Sequence, residues 1–421
     1  MTRTRALVLW LTAAVALIAP AGAAAEAHRI GDIAVWAHVP YPGNPGGIAV
    51  SGDAVWVDSS AANLDRPFDA ASALFAYGLG DHRLQPRRPN PVTVPERSVD
   101  TMGLAGIALD ADGRQYIADM NGRVVRFDPR TQKVEDYATF PTSTWTSFTS
   151  MPTFDAFGPD GSLYVGDAGG QPVIWRVPPG GGQAEPWFVD PRLAGTWGAT
   201  VLGLAVDPTG RDLYFAVGNQ RPQITVYRLP LAAPDPANLE EFHAYDDVVS
   251  PPCAPSAIDH NTTPAVLTCE ITQRLGASGI AFGRSGRLYV AFLSKNQISI
   301  LDPDGREAAR FPSTEENAKL PVPLDGPFGL AFDGRGSLLI TNVGNPTAGY
   351  LPGHTPPPGG LDDSDSWAVL SAWVNDRAGR LFRPHITMTA AARAEVRAGL
   401  ARLGTAPPAA VCFLAAVAGG R

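Results

Sequence analysis

The chain has 421 residues and a formal net charge of −8, with 33 Lys and Arg against 41 Asp and Glu. That length exceeds what one compact core usually fills, so several domains or one repeated unit are expected. An acidic balance without a basic stripe excludes the nucleic-acid binders, and 44 Gly with 40 Pro favour many turns over long helices.

The first residues set the compartment. Arg3 and Arg5 precede an apolar run at 6–18, then Pro20 and small residues as far as Ala25. A positive start, a short apolar centre and small residues before the cleavage point predict a secretory signal peptide over 1–25, with cleavage after Ala23, Ala25 or Ala27. A membrane anchor would need about 20 uninterrupted apolar residues; this run is shorter and Pro20 ends it. A secreted, periplasmic or extracellular protein is expected, with no membrane span after the signal.

From there a pattern recurs. Gly106-Ile107-Ala108-Leu109 leads through a turn ending at Gly113 into Gln115-Tyr116-Ile117-Ala118-Asp119. Equivalent copies start at Gly47-Ile48, Asp155-Ala156, Gly203-Leu204, Gly279-Ile280 and Gly329-Leu330, with turn glycines at 52, 161, 210, 286 and 336. Each reads as a short buried strand, a tight turn and a second strand, the turn glycine supplying the positive φ that side chains with a Cβ resist. Third strands are predicted at 123–128, after the Asn121-Gly122 turn, and at 173–177, 223–228 and 297–302; fourth strands at 134–140, 184–189 and 307–311.

Units of about 40–50 residues with three or four strands predict propeller blades, which bury their faces by stacking around an axis. The predicted fold class is therefore all-β, a six-bladed β-propeller over 30–386. Two longer intervals predict insertions at 58–99 and 231–274. The second holds Cys253 and Cys269, which in an exported chain are expected to form a disulfide, with two free thiols as the alternative. Cys412 has no evident partner, and no Cys-x-x-Cys or close His pair points to zinc. After residue 386 the strand pattern stops. The stretch 387–421 reads as an appended tail, helical or disordered, with helix propensity over 390–403.

Six such copies in an exported chain, carried most clearly by 106–129, 158–182 and 279–305, resemble the senescence-marker-protein, gluconolactonase and luciferin-regenerating-enzyme family. The repeat grammar is shared with NHL-type propellers. The resemblance implies a lactone or ester hydrolase with one divalent cation, such as calcium or zinc, on the axis, where it would polarise a carbonyl and activate water. At the positions where the family carries its ligands, this chain reads Asn44-Pro45-Gly46-Gly47, Pro152-Thr153-Phe154, Leu202-Gly203 and Ser278-Gly279. The expected Glu, Asn and Asp ligands are missing; Asn44 and Asn342 are the oxygen donors left as weak metal candidates.

The mouth built from Thr153, Phe154, Leu202, Ser278 and Phe328 is small and apolar, which suits a neutral or apolar small molecule at the axis. Asp155 breaks the pattern, because it stands where the other copies have Ile or Leu. It is the candidate catalytic acid or base, with a raised pKa; the blander reading is a bulge that turns it toward solvent or a backbone donor. Asp58, Asp119, Asp167 and Asn342 end second strands and read first as turn caps. The seven histidines lie outside the recognised repeat strands. Two functions stay open: a lactonase-like hydrolase with a diverged axial site, and a non-catalytic propeller binding a small molecule or a protein. A monomer is expected.

Overall fold

In the computed structural model, the described residues are 28–40, 43, 45–59, 72–86, 90–95, 103–141, 150–168, 173–193, 200–218, 224–245, 258–259, 266–267, 277–293, 295–343 and 367–403. The signal segment, Asn44 and the three cysteines lie outside them.

Six four-stranded antiparallel sheets, the second extended by Gly182–Gln183 pairing parallel with Lys133–Thr139, follow one another around a closed ring. The inner strands are Pro45–Ser51, Leu104–Leu109, Pro152–Phe157, Thr200–Val206, Ala277–Phe282 and Pro327–Phe332. Each packs beside the next, and the sixth beside the first. No sheet could exist alone, since both faces of the second and third strands are apolar: Ile117 and Val125 face blade 1, while Tyr116 and Val124 face blade 3. Burial between blades supplies the stability, about 25 cal/mol for each Å² of apolar surface removed from water.

The strands expected at 123–128, 173–177 and 307–311 form as Arg123–Asp128, Val173–Val177 and Glu307–Phe311. Within the insertion expected at 58–99, Ser72–Gly78 and Val92–Val94 belong to the first blade and complete its sheet. In the second interval, Glu240–Tyr245 completes blade 4, and a short ribbon pairs Ile258–Asp259 with Val266–Leu267. His38 and His243 sit on outer strands after all.

Blade 6 takes its outermost strand from the other end of the chain. Ile33–His38 pairs antiparallel with Ala368–Trp373, which pairs with Ser337–Asn342. Joining the first strand to the last blade closes the ring and pairs the outer edge of Ala368–Trp373.

Beyond Trp373 the chain crosses the face that carries the inner-strand turns. Arg284 N–H donates to Arg377 O (2.6 Å), Gly379 N–H to Phe282 O (2.8 Å), and Ala111 N–H to Pro384 O (3.0 Å). Arg383 Nη2 donates to Val50 O at 3.2 Å. This strap therefore touches blade 5, then blade 4 through Phe382 beside Gly210, then blades 1 and 2. It delivers the helix Ala390–Leu403 to the side of the ring, where Val396 and Leu400 join Ile386, Met388, Tyr137 and Ala138 in the core between blades 2 and 3. The helix expected over 390–403 forms, and it is docked rather than free-hanging. Leu400→Ala should lower stability by about 2 kcal/mol, seen as a lower urea midpoint at unchanged slope.

Candidate functional site

All six inner strands break register with their second strands at one equivalent place, between Pro45 and Ile48, Leu104 and Gly106, Pro152 and Asp155, Val201 and Leu204, Ala277 and Ile280, and Pro327 and Leu330. At or beside this break stand Gly47, Gly106, Phe154, Gly203, Gly279 and Gly329, Gly106 being the first paired residue after it. Glycine is required because backbones nearly touch there. A Cβ at Gly47 would come within 2.8 Å of Gly106 Cα, one at Gly106 within 2.8 Å of Phe154 Cα, and one at Gly329 within 2.5 Å of Gly46 O.

Blade 3 is the exception, and its side chain fills what the glycines leave. Phe154 Cδ1 is 3.3 Å from the Cβ position of Gly106, and Cε1 is 3.4 Å from that of Gly279. The ring also meets Phe328 with centroids 5.0 Å apart. One phenyl group from blade 3 thus reaches blades 2, 5 and 6 and plugs the axis.

Hydroxyls pin the ring. Thr153 Oγ1 donates to Val201 O at 2.9 Å, and Ser278 Oγ to Pro327 O at 2.6 Å. Thr341 Oγ1 donates to Gly46 O at 2.6 Å and accepts from Gly329 N–H at 2.7 Å. Thr153 and Ser278, placed at the mouth by the sequence, are therefore buried ties between neighbouring blades. Their hydroxyls point into the wall.

The remaining mouth residues do converge. Leu202 and Phe328 join Met120, Met151 and Leu293 in one apolar cluster, with Phe154 packed against it. All lie at the end where inner strands begin and second strands finish. The opposite end is the one crossed by the strap; at this end the cluster is buried, with Leu202 2% and Phe328 5% exposed. Met120 and Leu293, each one residue beyond a second strand, escaped the sequence reading because they follow the repeat rather than belong to it.

Two carboxyl groups lie further in. Asp58 Oδ1 accepts from Gly47 N–H at 2.8 Å, while Oδ2 has no partner. Burial pushes the Asp58 carboxyl up to about 8, eased by the amides of Gly47 and Gly46. Asp155 lies in the inner strand of blade 3, opposite Val165. Its residue exposure is 8%, and neither carboxyl oxygen has a partner in hydrogen-bond geometry. Burial and then the Asp58 charge raise it well above the usual carboxylate range. The bulge foreseen at Asp155 is present; its side chain is turned away from solvent, and the backbone amides of Asp155 and Ala108 ease the cost of burial.

Both groups hold protons that the unfolded chain releases from about pH 4 upward. Stability from these groups is thus greatest at low pH and falls as pH rises from the ordinary Asp value through about 8. In chelator, wild type should melt progressively lower between pH 5 and 8.5, and Asp58→Asn should flatten that slope. An equal slope in both would remove Asp58 as its source.

The other strand-end groups are structural. Asp119 accepts from Asn121 N–H and pairs with Arg123 at 2.6 Å. Asp167 accepts from Trp175 Nε1 at 2.7 Å. Asn342, a weak metal candidate in the sequence, has its amide oxygen committed to Asp325 N–H (2.6 Å) and its nitrogen to Pro323 O (3.1 Å). Among the described residues no three His, Cys, Asp or Glu gather as a metal site. The axial cation implied by the family resemblance does not fit at the mouth: Thr153 and Ser278 hydroxyls donate to carbonyls, and Leu202 and Phe154 have no donor atom.

Solved structures share this architecture. A gluconolactonase from Xanthomonas campestris is 14% identical with a TM-score of 0.50, over 83% of this chain and 92% of its own. A luciferin-regenerating enzyme is 11% identical with a TM-score of 0.51, over 81% and 95%. The likeness is one of fold. It agrees with the architecture that the repeats imply, and identities this low leave the activity to the residues of the site. No protein-family model matches the chain, and no curated protein matches it significantly in sequence.

Proposed function

We propose that this chain is an exported propeller that binds a neutral, largely apolar small molecule at the axial end away from the strap. The observation that carries this reading is the lining. Met120, Met151, Leu202, Leu293 and Phe328 gather there over the Phe154 ring, with nearby hydroxyls turned into the wall. Such a surface gains by removing apolar area from water, and flexible methionines adapt to irregular ligands. It offers a charged substrate nothing to pair with.

Equilibrium binding of the lipophilic fluorophore N-phenyl-1-naphthylamine tests this directly. One saturable site is expected, weakened at least tenfold by Leu202→Glu, because a carboxylate would then lie in the apolar lining. Absence of saturable binding would overturn the proposal.

Hydrolysis of a lactone or ester is the second reading, favoured by Asp155, a buried acid whose carboxyl is raised well above the usual carboxylate range by burial. A proton donor held among apolar groups is a recognised way to tune acid catalysis. The Phe154 plug stands beside it, however, and Asp155 lies deeper along the strand than the mouth. A panel of neutral lactones separates the readings. Turnover that disappears in Asp155→Asn would establish the hydrolase, whereas competition with the fluorophore without turnover supports binding alone.

A further inference from the structure

Ten consecutive residues, Ala409 to Ala418, read Ala-Ala-Val-Cys-Phe-Leu-Ala-Ala-Val-Ala, and no charged side chain stands between Leu403 and Arg421. Such a run gains free energy by leaving water. It has about half the roughly 20 residues that cross a bilayer, so a seat on protein suits it better.

The helix Ala390–Leu403 fixes where this run is delivered. It starts from the strap end, where Thr387 O lies 3.0 Å from the Cβ position of Gly180, and climbs past Thr139, against which Gly399 packs. Arg402 secures the last turn by donating from Nη2 to Gln183 Oε1 at 2.8 Å. Leu403 finishes beside Gly122: its Cδ1 is 3.3 Å from the Cβ position there, and Ser150 O is 3.6 Å from the same point. Met120 stands two residues before Gly122, and Met151 follows Ser150. Both belong to the axial apolar cluster with Leu202, Leu293 and Phe328. The helix therefore ends at the margin of that cluster, on the side of blades 2 and 3.

Five residues separate Leu403 from Ala409, enough to span at most about 18 Å. Among them Gly404 is a helix stop signal and Pro407-Pro408 opposes renewal of the helix. The cluster in turn needs cover. Its five members stand at an end of the ring, yet they are only 2–6% exposed.

We propose that residues 409–418 are the built-in occupant of the axial apolar site, with Phe413 and Leu414 as the groups that enter it. The contact regulates the site: a tethered segment acts at an effective concentration on the order of millimolar, and only a ligand that outcompetes it is admitted. The regulatory role rests on the small-molecule reading above; the contact itself does not.

Two measurements on the full chain separate these. With the photo-cross-linker p-benzoylphenylalanine in place of Met151, irradiation should join position 151 to a peptide within 409–418 of the same chain. Excess N-phenyl-1-naphthylamine should suppress that product. Phe413→Glu should abolish the cross-link and tighten fluorophore binding at least tenfold, because a carboxylate is expelled from an apolar cluster. Phe413→Leu should keep both near wild type. Absence of the cross-link would overturn the contact, and so would cross-links that join two chains, which would make the occupant a second copy. Equal fluorophore affinity in wild type and Phe413→Glu would overturn the regulation. A cross-link in protein that binds no fluorophore would uphold the contact and sink the small-molecule reading alone.

Discussion

Gly203→Ala is expected to yield no soluble, cooperatively folding protein. The methyl group would fall inside the van der Waals shell of the Ser278 carbonyl oxygen, with Ile280 N and Ser278 C at 3.0 Å. Neither strand can retreat, since Thr200–Val206 and Ala277–Phe282 each carry their own sheet and are adjacent members of a closed ring. Moving one blade outward separates it from both neighbours, so relief at one contact opens the interblade core elsewhere. Overpacking in a well-filled interior typically costs about 1–3 kcal/mol, and a clash with backbone on both sides exceeds that range. Gly52 provides the contrast. Its φ is +62°, and nothing lies within 4 Å of a Cβ placed there. Substitution to Ala at 52 should therefore cost only the left-handed strain of about 1–2 kcal/mol, and Asn should be tolerated better. Soluble yield and melting curves for the three variants check the ranking. A Gly203→Ala protein as stable as Gly52→Ala would mean that the ring is looser than its contacts imply.

The same contrast explains what was legible in the sequence. Turn glycines such as Gly113 and Gly161 announce themselves by position between two apolar runs, and from them the blade number follows. The axial glycines look alike in sequence, because each simply opens an inner strand. Their purpose depends on the next blade, about 50 residues away, and no local pattern encodes that approach. Blade closure by Ile33–His38 was illegible for a related reason: its partner is Ala368–Trp373, near the other end of the chain. Asp155 did stand out, since a carboxylate at an apolar position needs no neighbours to be conspicuous. Its companion Asp58 did not, because a strand-end Asp most often caps a turn. Asp119 and Asp167, which end equivalent strands, accept from amide or indole donors in that way. Thr153 and Ser278 misled in the opposite direction. Small polar residues at an inner-strand start look like binding groups until the facing carbonyls of the next blade are known.

Phe154→Ala should be the most informative change at the axis. Five of the six bulge positions are glycines with no atoms to move inward, so deletion of the phenyl group leaves a void that collapse cannot fill. Large-to-small changes of this kind cost about 3–5 kcal/mol, toward the upper end where the site stays rigid. Rigidity is expected here, because the surrounding backbones are held by Thr153, Ser278 and Thr341 across three blade boundaries. A second consequence separates a plug from an ordinary core residue. Removing the ring brings water beside Asp155, and burial is the main reason its carboxyl titrates so high. The pH-dependent loss of stability in chelator should therefore shrink in Phe154→Ala even though the variant is weaker overall. Benzene or indole added to the variant should restore part of the melting temperature by refilling the void, with little effect on wild type. Phe328→Ala, which removes the partner ring while leaving Phe154 across the axis, should lower stability without changing the pH slope. If both variants flatten it equally, water reaches Asp155 by the mouth rather than past the plug, and the apolar lining rather than the single ring is what keeps the axis dry.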